Sequence, residues 1–240
     1  MAIYHLNHDF ISRSKGRSAV SNAAYITGLA LRESRRDLGF SYKNRLNNLV
    51  STDTIAPDHA PKQFDNVGVW DALETLEDVY ADKLYPRNLE YRDKHLRSAQ
   101  IAQTIVVALP RELTAEIDKA LVEEFARTRF VSRSLIVTYA ISVDENNPHA
   151  HLQISRRSVT EKGGGSGAKD REIASRALLE TRKLWADLTN KYLELEGFEE
   201  RISEKSLEDS GITSAPSKRL GWRFHQQKRE PQRLEVITKE

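Results

Sequence analysis

The 240-residue chain is long enough for one substantial domain, and 39% hydrophobic against 30% charged residues supports a buried core in a soluble protein. With no cysteine, disulfides, a Cys-ligated zinc site and thiol catalysis are all excluded. No run has the apolar length that spans a bilayer, and Met1–Phe10 carries His and Asp where an export signal needs an apolar segment, so a cytoplasmic protein without membrane insertion is expected.

The net charge is only +2, but it is unevenly spread. Residues 1–50 hold eight Lys/Arg against three Asp/Glu, residues 51–100 six against ten, and residues 210–240 seven against three. Basic ends around an acidic middle suggest an anion-binding surface, although solvated helix faces account for such counts as well.

Along the chain, Ala2-Ile3-Tyr4-His5-Leu6 is rich in strand formers and predicts a strand. Arg13–Ser18 is polar, basic and contains glycine, so it reads as a loop, and Ser18 can cap a helix of small apolar residues from Ala19 to Leu31. Residues 43–66, with Pro57 and Pro61, read as an irregular connection. Trp70, Leu73, Leu76, Tyr80 and Leu84 have helical spacing, broken at Pro86. Ile101–Leu109 predicts a strand closed by Pro110, and Thr114 caps a helix through about Thr128. Leu135–Val143 and His149–Ser155 predict two strands of a hairpin turned at Asn146-Asn147-Pro148. Gly163–Gly167 lacks the Gly-Lys-Ser/Thr ending of a phosphate-cradling loop. Residues 171–196 predict the longest amphipathic helix, ended by Gly197. Strands in hairpin order predict an α/β fold with a largely antiparallel central sheet flanked by helices, and a helical C-terminal segment.

The most informative stretch is Asp144-Glu145-Asn146-Asn147-Pro148-His149-Ala150-His151-Leu152. Side chains two apart on a strand share a face, so His149 and His151 point together while Ala150 and Leu152 point to the other side. Two imidazoles from one strand, with Asp144 just before the turn, suit half of a divalent-metal site; a pair of surface histidines is the plainer reading of His-x-His alone.

Asn147-Pro148-His149-Ala150-His151-Leu152 resembles the metal-binding signature of the HUH superfamily of relaxases and replication initiators. Ala2–Leu6, Ile11–Val20 and Ala23-Ala24-Tyr25 resemble the start of MobA/MobL proteins. Ala108–Leu113, Arg201-Ile202 and Lys205-Ser206 continue the likeness to about residue 221. The resemblance implies a relaxase domain over residues 1–200, followed by a basic segment, residues 201–240, that contacts DNA or opens a linker. It implies Tyr25 as nucleophile on a DNA phosphodiester, giving a 5′-phosphotyrosyl link and a free 3′-hydroxyl. It further implies Arg13, Lys15 and Arg17 on flanking phosphates, and Mn²⁺ or Mg²⁺ held by His149 and His151. The partners it implies are single-stranded DNA at an origin of transfer and a type IV secretion coupling protein.

The chain departs from that pattern in places. Relatives carry a third histidine seven positions before the first of the pair, where this chain has Ser142, so His5 is the candidate third ligand, with Asp144 and Glu145 as nearby carboxylates. Thr104 stands where the family often has glutamate, and Glu204 and Arg219 stand where relatives tend to have histidine. Glu74, with Glu77, matches an acidic pair suited to proton handling, or equally a solvated helix face. Tyr25 favours an enzyme; Ser142 favours a degenerate homologue that only binds DNA or docks to a secretion apparatus.

Overall fold

In the computed structural model, residues 4–144, 147–163, 169–170 and 175–205 are described. Strand β1 is Leu6–Ser12, β2 Leu31–Glu33, β3 Leu38–Phe40, β4 Leu49–Ile55, β5 Gln100–Ala108, β6 Val137–Asp144 and β7 Asn147–Ser155. Five of them form a wholly antiparallel sheet in the order β1-β5-β7-β6-β4, and β2 and β3 pair separately. The described α-helices are α1 (Ala19–Thr27), α2 (Val69–Leu84), α3 (Leu89–Ser98), α4 (Ala115–Arg129) and α5 (Ser175–Leu195). The α/β class with an antiparallel sheet flanked by helices is therefore as expected.

Alternation along the strands makes two cores. On one face Ile105, Val107, Tyr139, Ile141, Leu152 and Ile154 pack against Leu121 and Phe125 of α4 and Trp185 of α5. On the other face Ile11, Ala102 and Ile136 meet Val20 and Ala23 of α1 and Trp70 and Leu73 of α2. The Trp70 indole N–H donates to the Thr138 hydroxyl at 2.8 Å, so the polar atom of this buried ring is satisfied within the sheet.

Several boundaries differ from expectation. The first strand begins at Leu6 and runs through Asn7-His8-Asp9, residues of poor strand propensity that pair with the apolar β5. Of the expected Ala2–Leu6, residues 2 and 3 lie outside the described part. Helix α1 stops at Thr27 because Gly28 takes the left-handed conformation, φ 71°. A Cβ there would stand 2.7 Å from a Leu46 side-chain carbon, so the glycine also permits the close approach of the 3-10 turn Lys43–Asn48. Within the stretch read as irregular lies β4, an edge strand whose Ser51-Thr52-Asp53-Thr54 hides its pairing with β6. The β2–β3 pair and α3 were likewise unmarked by any apolar period.

The long helix is described from Ser175; residues 171–174 of its expected span, like 164–167 of the glycine-rich loop, lie outside the described residues. The chain divides into Met1–Glu204 and Lys205–Glu240, and apart from Lys205 the second unit lies outside the described residues, as does most of the expected basic segment 201–240. Among the described residues, no helix is long and apolar enough to cross a membrane.

Candidate functional site

The basic loop and α1 are locked together by buried charge. Ser12 ends β1, the chain makes a 3-10 turn over Arg13–Lys15, and Gly16 reverses it at φ 66°. Ser18 then caps α1, its hydroxyl accepting from the Ser21 N–H at 3.2 Å and donating to Glu33 at 2.6 Å. Glu74, reaching from α2 and only 1% exposed, accepts from the Ala19 N–H and from the Arg13 Nε, each at 3.0 Å. A carboxylate against the first backbone N–H groups of a helix satisfies orphan donors and favours the helix dipole.

Arg13 is accordingly turned inward, hydrogen-bonded to Glu74 and to Asp78 with 8% of its side chain exposed. Lys15 and Arg17 point outward and share Asp9, Lys15 at 3.5 Å. Burial pushes the Asp9 carboxyl up, but the Phe10 N–H and the Arg17 guanidinium outweigh it and hold Asp9 below the usual carboxylate range.

Tyr25 lies on the last turn of α1, 40% exposed. Its ring meets Tyr42 edge-on at 5.5 Å, and the Arg45 guanidinium sits over it at 4.7 Å. The Tyr42 hydroxyl lies 3.1 Å from that of Ser21. Arg17, Ser21, Asn22, Tyr25, Arg36 and Tyr42 are among the residues lining an open cleft of about 310 Å³. Tyr42, Arg36 and Arg45 carried no motif; only the excess of Lys/Arg in residues 1–50 hinted at them.

α1 crosses the sheet on the face of the histidine pair. The Asn22 amide donates to Gln153 at 2.6 Å, and Gln153 donates to the Ala19 carbonyl at 2.9 Å. Gln153 is two residues from His151 on β7, hence on the same face. Tyr25 follows Asn22 by one helical turn, so the tyrosine helix and both histidines occupy one side of the sheet.

The rings of His149 and His151 stand 5.1 Å apart, as expected for alternate positions of one strand. The His149 Nδ1 donates to the Asn147 carbonyl at 2.9 Å, which puts the basic lone pair on Nε2. Ser142 is the direct cross-strand partner of His149, and Ala140 that of His151. On the other flank Ala108 pairs with His149 and donates its N–H to the His5 carbonyl at 3.1 Å. Strand spacing puts the Ser142 backbone about 5 Å and the His5 backbone about 10 Å from that of His149.

Among the described residues, no three His, Asp or Glu side chains gather closely enough to hold a metal ion. The donors present are thus two imidazoles, with the neutral Ser142 hydroxyl in the adjacent position, and they do not complete a divalent-cation site by themselves. Asp144 ends β6 opposite Asn147, and its side chain lies outside the described part. Glu74 binds α1 at Ala19, six residues or about 9 Å of helix before Tyr25. Glu77 diverges from it and binds Arg157 at 2.9 Å, Lys169 at 2.9 Å and His95 at 3.0 Å.

The antiparallel sheet thus carries a His-x-His pair on its central strand and, on the same face behind a basic loop, a tyrosine helix. The MobA/MobL family matches residues 17–230, and the chain belongs to that family. It is 29% identical to the conjugal transfer protein TraA of Agrobacterium fabrum over 92% of this chain and 21% of that protein. To a probable mobilization protein MobA of Bifidobacterium longum it is 33% identical, over 69% of this chain and 26% of the relative. The chain thus spans about a quarter of the length of these relatives. A solved structure described as the molecular basis of vancomycin resistance transfer in Staphylococcus aureus has the same fold, with a TM-score of 0.69 at 24% identity over 85% of this chain and 100% of that one.

Proposed function

We propose that this chain is the DNA-nicking and strand-transfer domain of a conjugative relaxase, acting in the cytoplasm on single-stranded DNA at an origin of transfer. The observation that carries the reading is Tyr25: a half-exposed phenol in a cation-lined cleft, on the sheet face that bears His149 and His151.

In the proposed reaction the Tyr25 oxygen forms a bond to the scissile phosphorus and its proton leaves through the open cleft. The bond to the 3′-oxygen breaks, and that oxygen takes up a proton to become a free 3′-hydroxyl. The 5′-phosphotyrosyl link keeps the phosphodiester energy, so a later 3′-hydroxyl can reverse the step without ATP. Lys15 and Arg17 are the cations proposed for the phosphates beside the scissile step, being outward-facing where Arg13 is engaged with Glu74 and Asp78. Tyr42 and Arg45 hold the Tyr25 ring, which limits the rotamers the attacking oxygen can take.

His149 and His151 are the proposed ligands of Mn²⁺ or Mg²⁺, which would supply Lewis-acid polarisation of a non-bridging oxygen. With two imidazoles only, a further donor is needed, and Asp144, at the end of β6, is proposed to supply it or to orient an imidazole. Glu74 is proposed as a positioning residue for α1. A coupling protein of a type IV secretion system is the proposed protein partner.

A second reading has one observation in its favour, Ser142 facing His149 where a third histidine would complete a site. On that reading the domain binds DNA without cutting it. Incubation with single-stranded origin DNA and Mn²⁺, followed by denaturing electrophoresis, separates the two. A covalent adduct that vanishes in Tyr25→Phe and persists in Tyr42→Phe is expected. DNA binding with no adduct under any divalent ion supports the binding module, and an adduct from Tyr25→Phe sinks the nucleophile assignment.

A further inference from the structure

On the reverse face of the sheet, away from Tyr25, the edge strand β1 carries His8 and Phe10. Phe10 is the register partner of Gln103, which in turn faces Ile154. Gln103 is fully buried; its carbonyl oxygen lies 3.1 Å from the His8 Nε2, which donates to it, so the amide NH₂ points the other way. Among the described residues, that NH₂ has no hydrogen-bond partner. Arg156, just past the end of β7 and 8% exposed, lays its guanidinium over the Phe10 ring at 4.8 Å, and its Nε and Nη1 are buried without an acceptor among the described residues. Arg182 of α5 has a buried Nε in the same condition, and both arginines bear electrostatically on His8.

All of the unpartnered groups are donors. Among the described residues, the one carboxylate that acts on Arg156, Asp170, is ion-paired with Arg133. His8 adds no counter-charge: burial, and the two arginines behind it, hold its imidazole below the usual histidine range and so neutral. A buried guanidinium with open N–H groups beside an open amide is costly unless an acceptor arrives. A guanidinium fork and an amide together match the oxygens of a tetrahedral oxyanion.

We propose that His8, Gln103, Arg156 and Arg182 form an oxyanion site at the β1 edge, which takes a phosphate group. The same chemistry could come from free phosphate or from a phosphodiester of a DNA strand passing the edge of β1. The site is separate from the tyrosine cleft and does not depend on the nicking reaction.

The test uses the full chain. Its thermal midpoint is measured in inorganic phosphate and in chloride at matched ionic strength. At phosphate about ten times the dissociation constant, a rise of roughly 3–6 °C over chloride is expected. Arg156→Gln should abolish that rise. Gln103→Glu, which builds a carboxylate into the site, should raise the phosphate-free midpoint and also abolish the response. This second variant keeps the test decisive if Arg156→Gln folds poorly. The source is read from DNA binding: if a backbone phosphate fills the site, Arg156→Gln lowers the single-strand salt slope by about 0.7. If free phosphate fills it, the slope is unchanged while the thermal response is lost. Equal midpoints in phosphate and chloride together with an unchanged slope would overturn the proposal and leave ordered water as the missing acceptor.

Discussion

Ser142 and His149 stand directly opposite each other on β6 and β7, and the seven-residue separation between them in sequence is the arithmetic of the hairpin that joins them. Cross-strand neighbours have Cβ atoms about 4.5–5.5 Å apart, close enough for two side chains to share one cation. Ser142 is 2% exposed and offers a neutral hydroxyl there, a poor divalent ligand beside two imidazoles.

Placing a stronger donor at that position should therefore tighten metal binding. Ser142→His, or the smaller Ser142→Asp if the imidazole crowds β4, is expected to lower the Mn²⁺ dissociation constant at least tenfold by calorimetry, about 1.4 kcal/mol. The wild type should emerge from purification largely metal-free. Tight wild-type binding that neither variant improves would mean that His5 or a carboxylate already fills the position.

The inward turn of Arg13 splits the three loop cations by role. Lys15→Ala with Arg17→Ala should flatten the dependence of log affinity on log salt by about 1.4 on single-stranded DNA. Arg13→Ala should leave that slope nearly unchanged and lower the thermal midpoint instead, since it strands Glu74 in a buried site. A slope insensitive to the double change would remove the loop from the DNA interface.

Glu74 holds the Arg13 guanidinium and the first N–H of α1 together, so its loss should be felt as stability. Glu74→Ala is expected to cost about 3 kcal/mol in urea denaturation, and Glu74→Gln less, because the amide can still accept from Ala19. Were Glu74→Gln to keep full stability and lose adduct formation, Glu74 would belong to the chemistry.

Glu77 predicts a pH dependence. Burial alone would raise its carboxyl, but hydrogen bonds and charge from Arg157 and Lys169 bring it from an ordinary 4.5 to about 2. A carboxyl depressed in the folded state contributes stability above the unfolded value, and that contribution is lost as pH falls from about 4.5 toward 2. Between pH 6 and pH 3 the wild type should lose about 2 kcal/mol that Glu77→Gln does not. Parallel losses in the two proteins would show that the cluster carries no linkage.

What the sequence by itself determined was everything governed by short spacing. The His149/His151 face follows from the two-residue period of a strand, the start of α1 from Ser18 ahead of small apolar residues, and the β6–β7 hairpin from two apolar runs, although Asn147 and Pro148, expected in the turn, open β7 opposite Asp144 and Val143. These depend on neighbouring residues only, so they can be read without the fold. Tertiary structure alone decided what depends on partners far along the chain. β4 is polar and became a strand because β6 offered it an edge; β1 starts late because β5 sets its register. Arg13, Lys15 and Arg17 are equivalent as letters, yet α2 supplies Glu74 and Asp78 to the first and leaves the others facing outward. Likewise, Arg45 and Tyr42 reach Tyr25 only because Gly28 lets their turn press against the end of α1. A buried charge must find its counter-charge wherever packing brings one, and packing at such separations leaves no period in the sequence to read.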